Sequence, residues 1–248
     1  DAAQQAADVI SQTTLYGLNN DLSGVFLKNS TEAIWQLQQN TSAMYNGIVT
    51  GTATLEGFSI LPNPLNTGAI NSITLTGQLL NAFEAGDQRK AAWVNSTGTG
   101  SSTYYYPFKY RTGAYNLEPA GSATEYYMAL RLAELYLIRA EAAAHGAAGG
   151  PATAIADLNT LRQRAGLSGL PDNLSGAALL NAVQHERQVE LFAEWGHRWL
   201  DLKRTGQVHT VLSQIAYKQP WQGDNQLLYP IPPQEIQADP LLIQNPGY

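Results

Sequence analysis

Apolar residues recur at helical spacing through the second half of the chain and lose that spacing in the first half. Leu130, Ala133, Leu137, Ala140 and Ala144 share one stripe, and Gly146 closes it. Thr124 is placed as the N-cap where this helical part begins. Pro151 suits the first turn of a second helix, whose stripe is Ile155, Leu158, Leu161 and Ala165, with Gly166 as its stop. The two predict an antiparallel pair close to the helix-turn-helix unit of tetratricopeptide arrays, although the repeat consensus is not cleanly present. Further helices are predicted over about 176–194 and 207–216. Upstream, residues 1–18 read as a helix, with Ala3, Ala6, Ile10 and Leu18 on one face and Gly17 near its end. Residues 24–28 and 32–38 are β-like runs, and 40–76 read as long loops with occasional strand. A helix, a Gly-Asp turn and a short further element occupy 77–93. Residues 95–103 read as a flexible polar loop. Residues 104–111 are strand-like up to Pro107, which argues for an edge.

Composition narrows the classes. The charged fraction of 14% lies well below the roughly 25% of ordinary globular chains. A surface rich in neutral polar groups follows, which suits a secreted or cell-surface protein. A net charge of -6 argues against a nucleic-acid partner. The absence of cysteine excludes disulfides, thiolate metal sites and thiol catalysis. No apolar run is long enough to span a membrane. The first residues carry neither a basic segment nor an apolar core, so no signal peptide is read. A start on a helical pattern reads as a mature fragment or a trimmed chain.

Glu186, Glu190 and Glu194 follow one another at i, i+4 and i+8. Like charges so placed repel, so cations must answer them. Arg131, Arg139, Arg187, Arg198 and Arg204 are the candidates, with Asp201 beside them. One reading is a carboxylate pair for glycoside hydrolysis. The preferred reading is a structural Arg–Glu network, because an acid–base pair sits in a cleft rather than along a helix crowded with arginines. His185 and His197 lie twelve residues apart, behind Gly196, which does not suit metal ligation. His145 and His209 have no evident partners. No metal or cofactor is expected. Tyr45, Phe58, Tyr104, Tyr105 and Trp221 sit in polar loops and are the candidate faces for stacking against sugar rings. Trp35, Trp93, Trp195 and Trp199 sit in patterned elements and are assigned to the core. The glycines at 97–102 lack the context of a phosphate loop.

Four runs in fixed order then carry a resemblance: RLAELYLIRAEA at 131–142, LN-x-LR-x-RAG at 158–166, ER-x-VEL followed by EWGHRWLDLKR at 186–204, and PIPPQEI with QNPGY at 230–248. NSTEAIWQLQ, FEAGDQRKAAWV and FKYR extend it upstream. The chain resembles the SusD/RagB-like outer-membrane nutrient-uptake proteins of Bacteroidota, over their C-terminal half. The family's lipoprotein signal, anchoring cysteine and N-terminal half are not in this sequence, and FAEWGHR is one residue longer than the commoner form. The resemblance implies a mainly α, tetratricopeptide-like scaffold in one SusD-like domain over 1–248. Residues 1–123 would form a loop-rich part with short strands, and 124–248 the helical part, with the PIP and NPGY tail packed back across the helices. It further implies a non-catalytic protein on the outer face of the outer membrane, held there only by a lipid anchor absent from this chain. Such a protein captures an oligosaccharide and closes over a SusC-like TonB-dependent transporter. Specificity would lie in the loops around 40–65 and 95–107. A peptide-docking scaffold and a glycoside hydrolase are the rival classes.

Overall fold

The computed structural model describes residues 1–40, 42, 44–45, 48–49, 51–63, 73–119 and 121–248. The chain forms two compact units, Asp1–Trp195 and Gly196–Tyr248.

The first unit opens with α1 (Ala2–Ile10). This helix stops well before residue 18. The Ser11 hydroxyl donates to the Asp8 carbonyl, and the polar run from Gln12 to Thr14 turns instead of continuing the helix. Of the two β-like runs, 24–28 becomes a turn and 33–37 becomes β1 (Ala33–Leu37). Within the predicted loop region lie β2 (Met44–Tyr45), β3 (Ile48–Val49) and α2 (Leu55–Ile60). The Thr54 side chain caps α2 by accepting from Gly57 N at 3.1 Å, a signal available in the sequence. Next come α3 (Gly77–Ala82) and α4 (Gln88–Trp93), capped by Thr76 and Asp87.

Strand β4 (Val94–Thr97) overlaps the segment read as flexible, and it pairs antiparallel with β5 (Tyr104–Pro107). The β-branched Val94 and Thr97 favour the ladder. The turn is left to Gly98, whose φ of 89° and 2.1 Å approach of a would-be Cβ to the Ser102 carbonyl admit only glycine. Strand β6 (Tyr127–Arg131) pairs antiparallel with β1, so Thr124 does not cap the helix that follows. Pairing with a partner almost a hundred residues away outweighs the local cap signal.

Three helices complete the unit: α5 (Leu132–Ala144), α6 (Gly150–Arg164) and α7 (Gly176–Glu190). The short loop between α5 and α6 makes them an antiparallel, tetratricopeptide-like hairpin. Ala133, Ala140 and Ala143 on α5 let Ile155, Leu158 and Leu161 of α6 approach closely, and Leu179 and Val183 of α7 close this core. A second core gathers Phe26, Phe83, Trp93, Tyr110, Met128, Val189 and Phe192. Helix α7 ends at Glu190, four residues short of the prediction. The Glu190 carbonyl accepts from Lys109 Nζ at 2.7 Å and Arg131 Nη2 at 2.9 Å, so side chains cap it in place of a fifth turn. Ala193 and Trp195 then take positive φ.

The second unit holds α8 (His197–Arg204), α9 (Val208–Leu212) and α10 (Pro233–Ala238). Helix α8 fell outside the helices predicted from periodicity. The two halves of the terminal motif are laced together here. The Gln244 amide donates to the Ile231 carbonyl at 2.9 Å and accepts from Ile231 N at 2.7 Å, imitating a strand partner. Asn245 Nδ2 donates to the Tyr229 carbonyl and the Tyr248 hydroxyl to the Leu228 carbonyl. The proline-rich backbone cannot form its own ladder, so amide side chains supply the missing partners. The protein is mainly α, with short two-stranded ribbons on the first unit.

Candidate functional site

The three glutamates of the sequence pattern converge in a dry ionic network of the first unit. Glu190, fully buried, accepts from Arg131 at 2.7 Å, Arg89 at 3.0 Å and Arg164 at 2.5 Å. Glu194 accepts from Arg131 Nε at 2.8 Å and Lys109 Nζ at 2.5 Å, although it lies beyond the end of α7. Glu186 pairs with Arg89 and stands 3.6 Å from Arg162. Asp87 clamps the Arg89 guanidinium at two nitrogens, and Glu32 pairs with Arg164. Five buried carboxylates (Glu32, Asp87, Glu186, Glu190, Glu194) thus meet five cations (Arg89, Lys109, Arg131, Arg162, Arg164), and the half-exposed Glu84 joins at the rim. Aromatic faces complete the cage. Lys109 Nζ lies 4.2 Å from the Phe192 ring centroid and 4.7 Å from that of Trp93.

Ionisation follows from this geometry. Burial opposes the charge on Glu190, but Arg164, Arg131 and Arg89 together hold its carboxyl well below the usual range. Burial dominates at Glu186 and pushes it up, Arg89 offsetting only part. Burial, with Arg131 nearby, pushes the Lys109 ammonium down to about 8 against the pull of Glu194. Carboxylates so enclosed cannot reach a substrate.

The remaining candidates scatter. Arg139 pairs with Asp157 at 2.6 Å, away from the three glutamates. Arg187 is buried on α7. Arg204 binds Asp201 at 2.7 Å within α8, and Arg198 is half-buried, its guanidinium disfavoured by burial and drawn to Asp201. His185 Nε2 lies 3.7 Å from Glu84. His209 does have a partner: its Nδ1 accepts from Trp221 Nε1 at 3.0 Å, so half-buried Trp221 is anchored in the second unit. Among the described residues no three His, Asp or Glu converge in a way that would hold a metal.

An open groove of about 310 Å³ lies beside the β4–β5 ribbon. Tyr106, Phe108 and Tyr115 supply aromatic surface, Ser96, Thr97, Asn116 and Arg111 supply polar groups, and Leu61 and Pro62 form one wall. Tyr106 and Phe108 meet edge to face at 6.2 Å. The loop that carries Arg111 and Tyr115 is held from beneath. Glu125, buried, accepts from Arg111 N at 2.7 Å and Thr112 N at 3.0 Å, and the Asn116 side chain closes the loop on Gly113 N and the Arg111 carbonyl. Gly57 and Gly113 permit its contact with α2. A Cβ on Gly57 would meet the Thr112 carbonyl at 2.2 Å.

Of the aromatic candidates, Tyr104 and Tyr105 stand on β5, half-buried and exposed, two residues and one residue before Tyr106. Phe58 is half-buried on α2. The Tyr45 backbone pairs in β2, and its side chain lies outside the described residues. Trp93 is core, whereas Trp35 and Trp195 are more than half exposed and Trp199 is half-buried. Pattern alone misassigned Trp35 because one face of the β1–β6 ribbon is open. Sequence reasoning left Arg89, Lys109, Arg164, Glu32, Tyr106, Phe108 and Tyr115 without roles. A charge flanked by aromatics or aliphatics, as in FKYR, was the available signal for several of them.

The SusD family profile matches residues 88–248, from α4 through both units. The chain belongs to the SusD family. Solved structures agree across nearly its whole length, residues 1–87 included. A SusD superfamily protein from Bacteroides vulgatus is 22% identical with a TM-score of 0.74, over 99% of this chain and 59% of that one. Surface glycan-binding protein A from Bacteroides thetaiotaomicron, solved with laminarihexaose, is 24% identical with a TM-score of 0.71, over 98% and 59%. A laminarin-binding SusD-like protein is 26% identical with a TM-score of 0.66, over 99% and 59%. This SusD-family chain therefore spans about 59% of the length of these structures. No curated protein matches it.

Proposed function

We propose that this chain binds an oligosaccharide without transforming it, in the groove formed by β4, β5 and the loop 111–116. One observation carries the reading: Tyr106, Phe108 and Tyr115 line the same open groove as Ser96, Thr97, Asn116 and Arg111. Aromatic surface offers C–H faces of a sugar their partner, and the polar groups meet its hydroxyls. The family relatives named for laminarin and laminarihexaose support the ligand class. The enclosure of Glu186, Glu190 and Glu194 by cations supports binding without hydrolysis. Placement at the outer face of the outer membrane, and delivery to a SusC-like TonB-dependent transporter, are the roles we propose for the whole protein. The open face of the β1–β6 ribbon, with Trp35, Leu37 and Leu130 exposed, suits a protein partner of that kind.

Calorimetric titration of the chain with β-glucan and other hexasaccharides tests the binding. Tyr115→Ala should weaken the best ligand by at least about tenfold, the scale of one stacking contact, without altering thermal stability, because Tyr115 is largely exposed. Binding unaffected by Tyr115→Ala would move the site elsewhere. Product release during the titration would mark an enzyme.

A further inference from the structure

The groove carries one full positive charge that has no ion-pair partner among the described residues. Arg111 lines it, half-buried, with its guanidinium carbon 5.2 Å from the centroid of the Phe108 ring. Five other arginines of the first unit are met by carboxylates. Arg89, Arg131, Arg139, Arg162 and Arg164 each have one within 4 Å. Among the described residues Arg111 has none at that distance. Among those residues its side chain makes a single hydrogen bond, a long one, 3.4 Å from Nη2 to the Ala92 carbonyl. The carboxylates that feel its charge are otherwise engaged. Glu125 is spent on the backbone N–H groups of Arg111 and Thr112, and Asp21 on the backbone and hydroxyl of Ser23. A guanidinium has five N–H donors in a fixed fork that matches a planar anion, and stacking on an aromatic face leaves that edge free. A neutral sugar gives such a fork only hydroxyls. A carboxylate or sulfate gives it two charged acceptors.

We infer that the groove selects acidic glycans, with the carboxylate of a uronic acid or the sulfate of a sulfated sugar seated on Arg111 while the ring stacks on the neighbouring aromatics. The inference rests on the proposed glycan-binding reading and adds the charge of the ligand to it. Arg111 then acts as the specificity residue, and the polar Ser96, Thr97 and Asn116 hold the uncharged part of the chain.

The test compares glycans that differ only in charge. Laminarin and cellulose hexasaccharides, and the same hexasaccharides oxidised at C6 to uronates, are titrated calorimetrically into the 248-residue chain. The oxidised form of at least one glucan should bind on the order of tenfold more tightly than its neutral parent, about the effect of one added charge-assisted contact. That advantage should shrink as salt is raised from 50 to about 500 mM. Arg111→Gln should abolish the preference for the oxidised form over its neutral parent, whatever it does to neutral binding, and Arg111→Lys should keep part of that preference, since an ammonium retains charge but not the fork. The salt series on unaltered protein keeps the test independent of how the variants fold. Equal affinity for neutral and oxidised forms overturns the inference and leaves glycan binding standing. Binding of neither form of either glucan overturns the inference, and glycan binding falls with it only if the wider hexasaccharide series also fails to bind.

Discussion

Glu190→Gln removes one charge and almost no volume from the centre of the ionic network. In the folded protein Glu190 has no exposed surface and accepts from three guanidinium groups, Arg89, Arg131 and Arg164. The substitution leaves four buried carboxylates facing five cations, and turns one acceptor oxygen into an amide nitrogen that points donors at donors. Breaking a buried pair by removing one partner costs about 3–5 kcal/mol, because the other charge stays desolvated. At about 2–4 °C per kcal/mol for a chain of this size, the melting temperature should fall by roughly 6–20 °C. Urea unfolding at pH 7, followed by near-UV circular dichroism to report buried aromatics such as Trp93, measures the free energy directly. The effect has a pH signature. The folded-state pKa of Glu190 lies well below its ordinary value of 4.5, so its contribution is complete above pH 4.5 and is lost as pH falls through the folded value. The gap between wild type and variant should therefore be constant from pH 5 to 7 and narrow at more acidic pH. A variant within about 1 kcal/mol of wild type at pH 7 would refute the reasoning, since surface substitutions alone do as little.

The other predictions concern the cage and the groove. Lys109 titrates near 8 in the folded protein against 10.5 in a free side chain, so the unfolded chain holds more protons between those values. Wild-type stability relative to Lys109→Met should therefore rise with pH from about 8 to 10.5. A flat difference across that window in urea midpoints contradicts the burial argument. Gly57→Ala drives a Cβ to within 2.2 Å of the Thr112 carbonyl, so the loop 111–116 must shift. We expect a loss of about 1–3 kcal/mol by thermal denaturation together with weaker ligand binding, and unchanged binding would uncouple α2 from the groove.

Much of the helical part was legible because its information is local. Gly146, Pro151 and Gly166 mark boundaries that the α5–α6 hairpin respects, and the stripe of Ile155, Leu158 and Leu161 is its core. The need for cations opposite Glu186, Glu190 and Glu194 was likewise legible, since like charges on one face demand it. Arg131, one of the cations named from the sequence, does meet Glu190 and Glu194, but the other partners were not legible. Arg139 pairs with Asp157 instead, and the charges that answer the glutamates include Arg89 and Lys109, about eighty to a hundred residues upstream. A similar limit hid β6 behind Thr124 and left Tyr106, Phe108 and Tyr115, which line the open groove, unremarked.

Taken by itself, the chain's pattern of apolar spacing, caps and paired terminal motifs determined its class, its principal helices and the presence of buried charge, since each rests on interactions a few residues apart. Tertiary structure alone decided which arginine meets which glutamate, which tryptophans face water and which aromatics share a groove. Those outcomes depend on strand register and on loop approach at Gly57 and Gly113, where segments distant along the chain first meet.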